Sequence, residues 1–284
     1  MSKLIITADD YGMCEAVNIA IEDCIKSKVV LSTNVMTNMA FCENATALKK
    51  KFSDLSIGIH YNLTAGIPLS PIDKIRTLVD EDGKFLSYDK IRQACKNKSY
   101  DYNQIRIELQ AQYKRYVEIC GEPDYWNTHQ NVHVYPKLYE LFRDTSLEFG
   151  IKKMRSHQRI YVPSSNGISD KSLKWTLTNP FKRIMLNNWQ HNSAQKGVVS
   201  PDGLLVRMNE HDKLNLAYLF DNISWGKSSL AELIIHPSVS ADGEFFGKVT
   251  HERVREYEVF SDSSVLDLAK RSNIEIVNFE LNKL

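Results

Sequence analysis

The sequence predicts an α/β protein built on a parallel, barrel-like sheet. Short apolar runs alternate with helical stretches along its 284 residues, which is typical of parallel strands joined by crossover helices. About seven such units follow one another without an evident linker. We therefore expect a single (β/α) barrel-like domain over residues 1–284.

Each element is predicted from the spacing of its apolar residues. Lys3–Thr7 (KLIIT) is an apolar run, which predicts a buried strand. Asn103–Cys120 is amphipathic and is followed by Gly121 and Pro123, two residue types that end helices. The other predictions are helix Glu15–Ser27, strand Val29–Met36, helix Ala40–Lys51, strands Leu55–His60 and Tyr125–His129, helix Lys137–Phe149, strand Ile151–Met154, helix Glu210–Asp221, strand Leu230–His236, helix Glu252–Lys270 and strand Ile274–Phe279.

Two segments interrupt this alternation. Ala65–Tyr102 and His157–Asp202 are polar, rich in Pro, Gly, Asn and Ser, and longer than ordinary connections. Long excursions of this kind usually form lids or binding loops. We expect both to contribute to a binding site.

Composition excludes several classes of function. The formal net charge is +1, so no general affinity for nucleic acid or anionic membranes is expected. No apolar run approaches the ~20 residues that span a bilayer, and we expect no secretory signal. The 5 cysteines are scattered, without a CxxC pair, as in a cytoplasmic protein with reduced thiols.

Acidic and imidazole side chains collect where the predicted strands end. Asp9 and Asp10 follow the first strand, and His60, His129 and His236 each end another. Functional groups of parallel α/β folds lie at this carboxyl edge. One Asp and two His with open positions suit a catalytic metal that keeps a water. Structural alternatives stay open, because an Asp can cap the following helix and a lone His can be a hydrogen-bonded core residue.

Two of the histidines have informative neighbours. His129 and His133 are four residues apart, but Pro136 and the strand-like flanks argue against a helix that would present both to one metal. We interpret one as a ligand and the other as a loop residue. Pro237 holds His236 in an extended conformation at the end of its strand. An imidazole there can protonate a leaving amine near neutral pH.

These points together resemble the YdjC-like carbohydrate deacetylase family, nearly end to end. The resemblance rests on the segment around His129, on the tail Arg253–Phe279, and on residues 8–12 (ADDYG), 58–64 (GIHYNLT), 151–155 (IKKMR) and 232–237 (ELIIHP). It implies a distorted (β/α) barrel related to the NodB-type polysaccharide deacetylases, with two long loop insertions. Homodimers are common in that family.

The resemblance also implies roles for individual residues. Asp10, His60 and His129 correspond to the ligands of one divalent metal ion, with magnesium or zinc expected first. Asp9 resembles the general base, and His236 resembles the residue that protonates the departing amine. Further side chains are expected to bind substrate: Arg155, Asn127, His133 and Tyr61.

The chain departs from the family pattern in one run. The family usually shows DSHxHxH, whereas residues 127–133 read NTHQNVH, so that Asn127 replaces an acid and Asn131 replaces a histidine. The expected function is hydrolysis of the linear amide bond of an N-acetylated sugar or short oligosaccharide, with or without a phosphate. The alternatives are a metal-dependent phosphoesterase and a catalytically weak sugar-binding protein on the same fold.

Overall fold

The computed structural model describes residues 1–97, 99–135, 137–160, 162, 180–205, 213–242, 245 and 250–281. Its strands form one sheet in the order β4-β3-β2-β1-β7-β6-β5, and β8 also pairs with β1. Every named strand pair is parallel. In chain order the strands are β1 Ser2–Tyr11, β2 Ser32–Val35, β3 Ser56–Tyr61, β4 Trp126–Thr128, β5 Arg159–Ile160, β6 Gly203–Leu205, β7 Leu230–Ile235 and β8 Ile274–Val277.

Helices connect these strands, as the alternation predicted. They are α1 Glu15–Lys26, α2 Leu48–Lys51, α3 Tyr88–Asn97, α4 Tyr102–Cys120, α5 Leu138–Glu148, α6 Pro180–Gln195, α7 Lys213–Asp221, α8 His251–Phe260 and α9 Ser264–Arg271. The sheet is curled and open, since β4 and β5 stand at the two ends of the strand order. This confirms the prediction of a distorted parallel barrel.

The central strand is β1. It has 10 residues, and those from Leu4 to Tyr11 are buried. Strand β7 pairs with it from Lys3 to Ala8. The amino half of β1 also pairs with β8, and its carboxyl half pairs with β2. Strands from both ends of the chain therefore belong to one sheet, although the single-domain organisation stays a prediction.

Three of the four residues of β2 are polar, although all four are buried. Each polar side chain has a partner: Ser32 Oγ donates to the Tyr125 hydroxyl at 2.9 Å, and Thr33 Oγ1 donates to the Ala8 carbonyl at 2.8 Å. Asn34 bonds residues at the end of β1. A buried polar side chain is tolerated when it is hydrogen-bonded, so β2 fixes the position of the end of β1.

Several element predictions need correction. The helix predicted over Ala40–Lys51 is a 3₁₀ helix, Cys42–Ala47, followed by one turn of α-helix. Ile151–Met154 forms only isolated bridges, between Met154 and Trp126 and between Lys153 and Val199. Glu252–Lys270 is two helices, α8 and α9, because the chain turns at residues 261–263, where Asp262 Oδ1 accepts the backbone N–H of Ser264.

The long segments contain more regular structure than their composition suggested. Helix α3 lies within Ala65–Tyr102, and helix α6 lies within His157–Asp202. Residues 163–179 of the second segment, and residues 210–212 at the start of the helix predicted over Glu210–Asp221, lie outside the described residues. Within the described chain, no helix is both long and apolar enough to cross a bilayer.

The packing of β3 gives a first testable prediction, which concerns Gly58. A Cβ at Gly58 would lie 2.6 Å from Cζ of Tyr125. The Tyr125 ring stacks on Phe279 at 3.8 Å and its hydroxyl donates to the Thr33 carbonyl, so it has little freedom to move. We expect Gly58→Ala to lower the free energy of unfolding by about 1–3 kcal/mol, measured by urea titration. In a Tyr125→Leu background the loss should be smaller, and an equal loss in both backgrounds would contradict the clash.

Candidate active site

A cavity of about 660 Å³ opens at the carboxyl edge of the sheet. The side chains predicted from the strand ends all line it: Asp9, Asp10, His60, His129 and His236. Helix α3 forms part of its wall through Tyr88, Asp89 and Arg92, together with Ser87, which directly precedes the helix. The first long segment therefore contributes to the cavity, as predicted. We call this space the Asp10 cavity.

A β-bulge brings two adjacent carboxylates into this cavity. Successive side chains of a regular strand point to opposite faces, so Asp9 and Asp10 would normally diverge. The register between β1 and β2 shifts between Ala8 and Tyr11, and Asp10 has φ +76°. A bulge of this kind redirects a side chain. Gly12 completes the turn with φ +98°, where a Cβ would lie 3.0 Å from Cα of Cys42.

Asp10 is at the centre of the candidate metal group. Its Oδ1 lies 3.0 Å from His129 Nδ1 and 3.3 Å from His60 Nε2. Its Oδ2 accepts a hydrogen bond of 2.6 Å from Nη2 of Arg253. Burial raises the pKa of Asp10, but His129 and Arg253 outweigh burial and hold it well below the ordinary range. Asp10 is therefore an ionised carboxylate.

The protonation of His60 determines whether a cation fits this group. Asn127 Oδ1 lies 2.5 Å from His60 Nδ1, and a carbonyl oxygen only accepts, so Nδ1 carries the proton. Nε2 then presents a lone pair to the Asp10 carboxylate. Ligand atoms that each bond one metal at ~2.0–2.2 Å lie about 3 Å apart. The three residues, whose ligand atoms lie within 4.8 Å of one another, therefore fit one divalent ion.

Asp9 is held by cationic and amide donors rather than by histidines. Arg155 donates from Nη1 to Oδ2 at 2.8 Å and from Nη2 to Oδ1 at 2.7 Å. Asn34 Nδ2 donates to Oδ1 at 2.5 Å, while Asn34 Oδ1 accepts the backbone N–H of Asp10 at 3.3 Å. Burial raises the pKa of Asp9, but Arg155 outweighs burial and lowers it. Asp9 is ionised and held in one orientation.

His236 lies on the other side of Asp9. Its Nε2 is 3.9 Å from Asp9 Oδ2, and its side chain retains 24% of its exposure. It directly follows the last residue of β7, and its backbone N–H donates to Glu256 on α8. The imidazole therefore stands at the cavity surface, beside a carboxylate with which it can exchange a proton through one water.

The residues expected to bind substrate have other positions. Tyr61 was predicted wrongly, because it is buried in the core against Phe142 and Trp126. Strand alternation explains this position, since His60 faces the cavity and its neighbour faces away. Asn127 contacts the metal-ligand candidate His60 instead of lining the cavity.

The prediction for His133 needs correction, whereas Arg155 reaches the cavity. His133 Nδ1 lies 2.6 Å from Thr128 Oγ1, and its Nε2 lies 2.5 Å from His157 Nε2. Burial lowers the pKa of His133 to about 3, so it is a neutral core residue away from the cavity surface. Arg155 does line the cavity. Its guanidinium, however, is only 1% exposed and forms ion pairs with Asp9 and Glu232, so a substrate contact by Arg155 stays a prediction.

Sequence reasoning missed Asn34, Glu232 and Arg253. Asn34 and Glu232 are polar residues within buried strands, and that pattern was a usable signal. Glu232 Oε1 accepts from Nε of Arg155 at 3.0 Å. Arg253 reaches Asp10 from α8, 243 residues away in the sequence. No local pattern distinguishes it from an ordinary helix-surface arginine.

A second cavity of about 850 Å³ adjoins the first. Phe245 lines both. The second cavity, which we call the Met13 cavity, is lined by apolar and charged side chains, among them Met13, Met39, Ile67, Leu69, Glu43, Lys84 and Arg115. Ile67 is 62% exposed.

Comparisons with known proteins agree with these features. The family model of YdjC-like proteins matches residues 3–271. A carbohydrate deacetylase from Clostridium beijerinckii is 29% identical over 281 residues, covering 98% of this chain and 99% of the relative. A chitooligosaccharide deacetylase from Proteus mirabilis is 28% identical over 266 residues, covering 92% of this chain and 91% of the relative.

One solved structure has a closely similar fold. It is that of a proposed cellobiose-phosphate cleavage protein from Enterococcus faecalis, with a TM-score of 0.78 and 21% sequence identity. The similarity covers 100% of this chain and 99% of the other. At this identity the comparison supports the fold alone.

The contact between Asn127 and His60 gives the second prediction. Replacing a residue that orients a metal-ligating histidine typically lowers metal affinity 10–100-fold. We expect Asn127→Leu to weaken zinc binding by about that factor in calorimetric titration of the chelated protein. Asn127→Asp keeps an acceptor and adds charge, so its affinity should equal or exceed that of the unmodified protein. Equal affinities for the Leu and Asp variants would contradict the assigned contact.

Proposed function

This chain belongs to the YdjC-like protein family, and on that premise we propose that it is a metal-dependent carbohydrate deacetylase. The proposed reaction converts an N-acetylated sugar or short oligosaccharide and water into acetate and a free amino sugar. The observation that carries the proposal is the buried Asp10, His60 and His129 group beside Asp9 and His236 in one cavity. The names of the relatives support the substrate class.

The proposed ligands are the Oδ1 atom of Asp10, Nε2 of His60 and Nδ1 of His129. A divalent ion there would supply a Lewis acid that polarises the acetyl carbonyl and lowers the pKa of a water. Two imidazoles and one carboxylate suit zinc, and magnesium is the other candidate. Arg253 holds the remaining oxygen of Asp10, which leaves Oδ1 directed towards both histidines.

Asp9 is the proposed general base. Arg155 and Asn34 fix both its oxygens, so its lone pairs have a defined direction towards the cavity. In the proposed reaction Asp9 accepts the proton of the attacking water as the water oxygen bonds to the acetyl carbon. Placing the base in advance removes an orientational contribution to the barrier.

His236 is the proposed general acid. It gives a proton to the amide nitrogen as the C–N bond breaks, so that the amine leaves neutral rather than as an anion. Its Nε2 lies 3.9 Å from Asp9 Oδ2, so both proposed proton carriers would face the same reacting amide from neighbouring positions. The proton that Asp9 accepts can return to His236 between turnovers, which restores both groups.

The cavity shape supports a short oligosaccharide as substrate. Ser87 and the first two residues of α3, Tyr88 and Asp89, offer polar groups for sugar hydroxyls. Phe245 stands between the Asp10 and Met13 cavities, and an aromatic ring suits the apolar face of a pyranose. We propose that a second ring extends past Phe245 when the substrate is longer than one sugar.

A cationic group near the cavity supports a phosphorylated substrate. Arg92 lines the Asp10 cavity from α3. Burial lowers the pKa of Lys182 on α6, and the charges of Arg159 and Arg92 lower it further. The positive charges of Arg92 and Arg159 both act on Lys182, so the potential around Arg92 is positive and would attract a phosphate. We propose Arg92 as the residue that contacts the phosphate.

The two alternatives receive less support from the structure. A two-metal phosphoesterase needs carboxylates that bridge two ions. The described residues contain one group of three potential ligands, and Asp9 is engaged by Arg155. A sugar-binding protein would not need two proton carriers beside that group. Homodimer formation and a cytoplasmic location stay predictions.

Acetate release tests the function directly. Chelated protein, reloaded with zinc, magnesium or another single metal, should release acetate from N-acetylglucosamine or diacetylchitobiose, measured by an enzyme-coupled assay. Asp9→Asn and His236→Gln should each lower turnover by ~10²–10⁴-fold with metal affinity retained. Tyr61→Phe, a core substitution, is the control and should keep full turnover. Full activity of Asp9→Asn would rule out its role as base.

The phosphate contact has its own test. Arg92→Met should raise the KM for a 6-phosphorylated substrate by about 10-fold, since a hydrogen bond to a charged group contributes about 1.5–3 kcal/mol. The KM for the unphosphorylated sugar should stay unchanged. Arg76→Met, an exposed change in the same long segment, is the matched control. Equal KM changes for both sugars would rule out the phosphate contact.

A further inference from the structure

Gln130 combines three unusual features beside the proposed metal group. It directly follows His129, and it lines the Asp10 cavity. Its backbone lies in the left-handed region, with φ 54° and ψ 18°. Its Oε1 atom is buried without a hydrogen-bond partner among the described residues. The reaction proposed above gives Gln130 no role.

The left-handed backbone of Gln130 is energetically unfavourable for a glutamine, and another residue type would form the same turn at lower cost. Gln130 and Asn131 are consecutive left-handed residues, with φ 54° and 53°. Asparagine tolerates this region because its short side chain bonds locally, whereas glutamine gains no such compensation. Glycine would adopt it without strain. A glutamine retained in strained backbone at a cavity is a candidate for function.

The side chain carries a second cost. A buried acceptor without a partner is destabilising, and such atoms in native structures call for an explanation. A donor on a bound ligand would satisfy Gln130. The last side-chain torsion of glutamine is broad and roughly two-fold, so either end of the carboxamide can turn towards the cavity. The missing partner is therefore a group that can hydrogen-bond an amide.

We propose that Gln130 recognises the acetamido group of the substrate by accepting a hydrogen bond from its N–H. This inference rests on the proposed function, and it adds a basis for selecting amides over esters. The scissile carbonyl must lie at the Asp10, His60 and His129 group, and the amide nitrogen is one bond from the carbonyl carbon. Gln130 directly follows His129 in the same cavity lining, and its Oε1 atom has no hydrogen-bond partner among the described residues. It is therefore an acceptor that the amide N–H can use.

Selectivity follows from the chemistry of the missing donor. An O-acetyl ester has the same carbonyl and methyl group as the amide but no N–H. When an ester binds, the Gln130 oxygen stays unpaired, and a site built around a substrate N–H rejects the analogue that lacks it. Removing the carboxamide should therefore slow amide hydrolysis and leave ester hydrolysis unchanged.

The test compares kcat/KM for N-acetylglucosamine and 2-O-acetylglucose in the unmodified protein, Gln130→Met and Gln130→Gly. Met keeps the length of the side chain without the amide, and Gly also removes the backbone strain. For both variants we expect kcat/KM for the amide to fall ~10–100-fold, while the value for the ester and the zinc affinity stay unchanged. The Tm of Gln130→Gly should rise by about 2–4 °C.

Lys28→Gly is the matched control. Lys28 is exposed, has φ 65° and precedes β2 at the opposite edge of the sheet, so this change should raise Tm without altering either kcat/KM. Equal losses for amide and ester, or a loss of zinc affinity, would show that Gln130 only supports His129 and would overturn the proposal. An unchanged amide rate would also overturn it. If the unmodified protein hydrolyses no amide, the proposed function itself fails, which is seen before any variant is made.

Discussion

The site depends on burying two ionised carboxylates that are neighbours in the chain. Such a pair repels strongly in a low-dielectric interior unless cations or donors compensate each charge. The protein uses a separate arginine for each, Arg155 for Asp9 and Arg253 for Asp10. The second oxygen of Asp10 is directed to two imidazoles. Separate partners are what allow adjacent residues to have different roles.

This constraint explains why distant elements converge here. The bulge that turns Asp9 and Asp10 to one side is held by Asn34 on β2. Arg155 directly follows Met154, which forms an isolated β-bridge with Trp126. The Nε–H of Arg155 donates a hydrogen bond to Glu232 on β7. Arg253 comes from α8, near the end of the chain. Loss of Arg155 or Arg253 would leave a buried carboxylate without its cation, which is more costly than the loss of an ordinary contact.

Strand ends could be predicted from the sequence because parallel strands place their carboxyl ends at one edge. That rule located Asp9, Asp10, His60, His129 and His236 correctly. It did not say which side of a strand each neighbour faces, and so Tyr61 was misplaced. The bulge, the His133–His157 pair and the Arg253 contact depend on tertiary packing, which no local pattern encodes. The two replacements in residues 127–133 also become interpretable: an amide oxygen of Asn127 still accepts from His60, and asparagine at position 131 tolerates the left-handed backbone.

The proposed chemistry requires that Asp10, His60 and His129 hold a single divalent ion. The most direct measurement is anomalous X-ray diffraction from crystals of the zinc-loaded protein. We expect one strong peak within about 2.0–2.3 Å of Asp10 Oδ1, His60 Nε2 and His129 Nδ1, and we expect His60→Ala to abolish it. If crystals grown with excess zinc showed no anomalous peak, or a peak only at another position, that result would contradict the metal site and the mechanism derived from it.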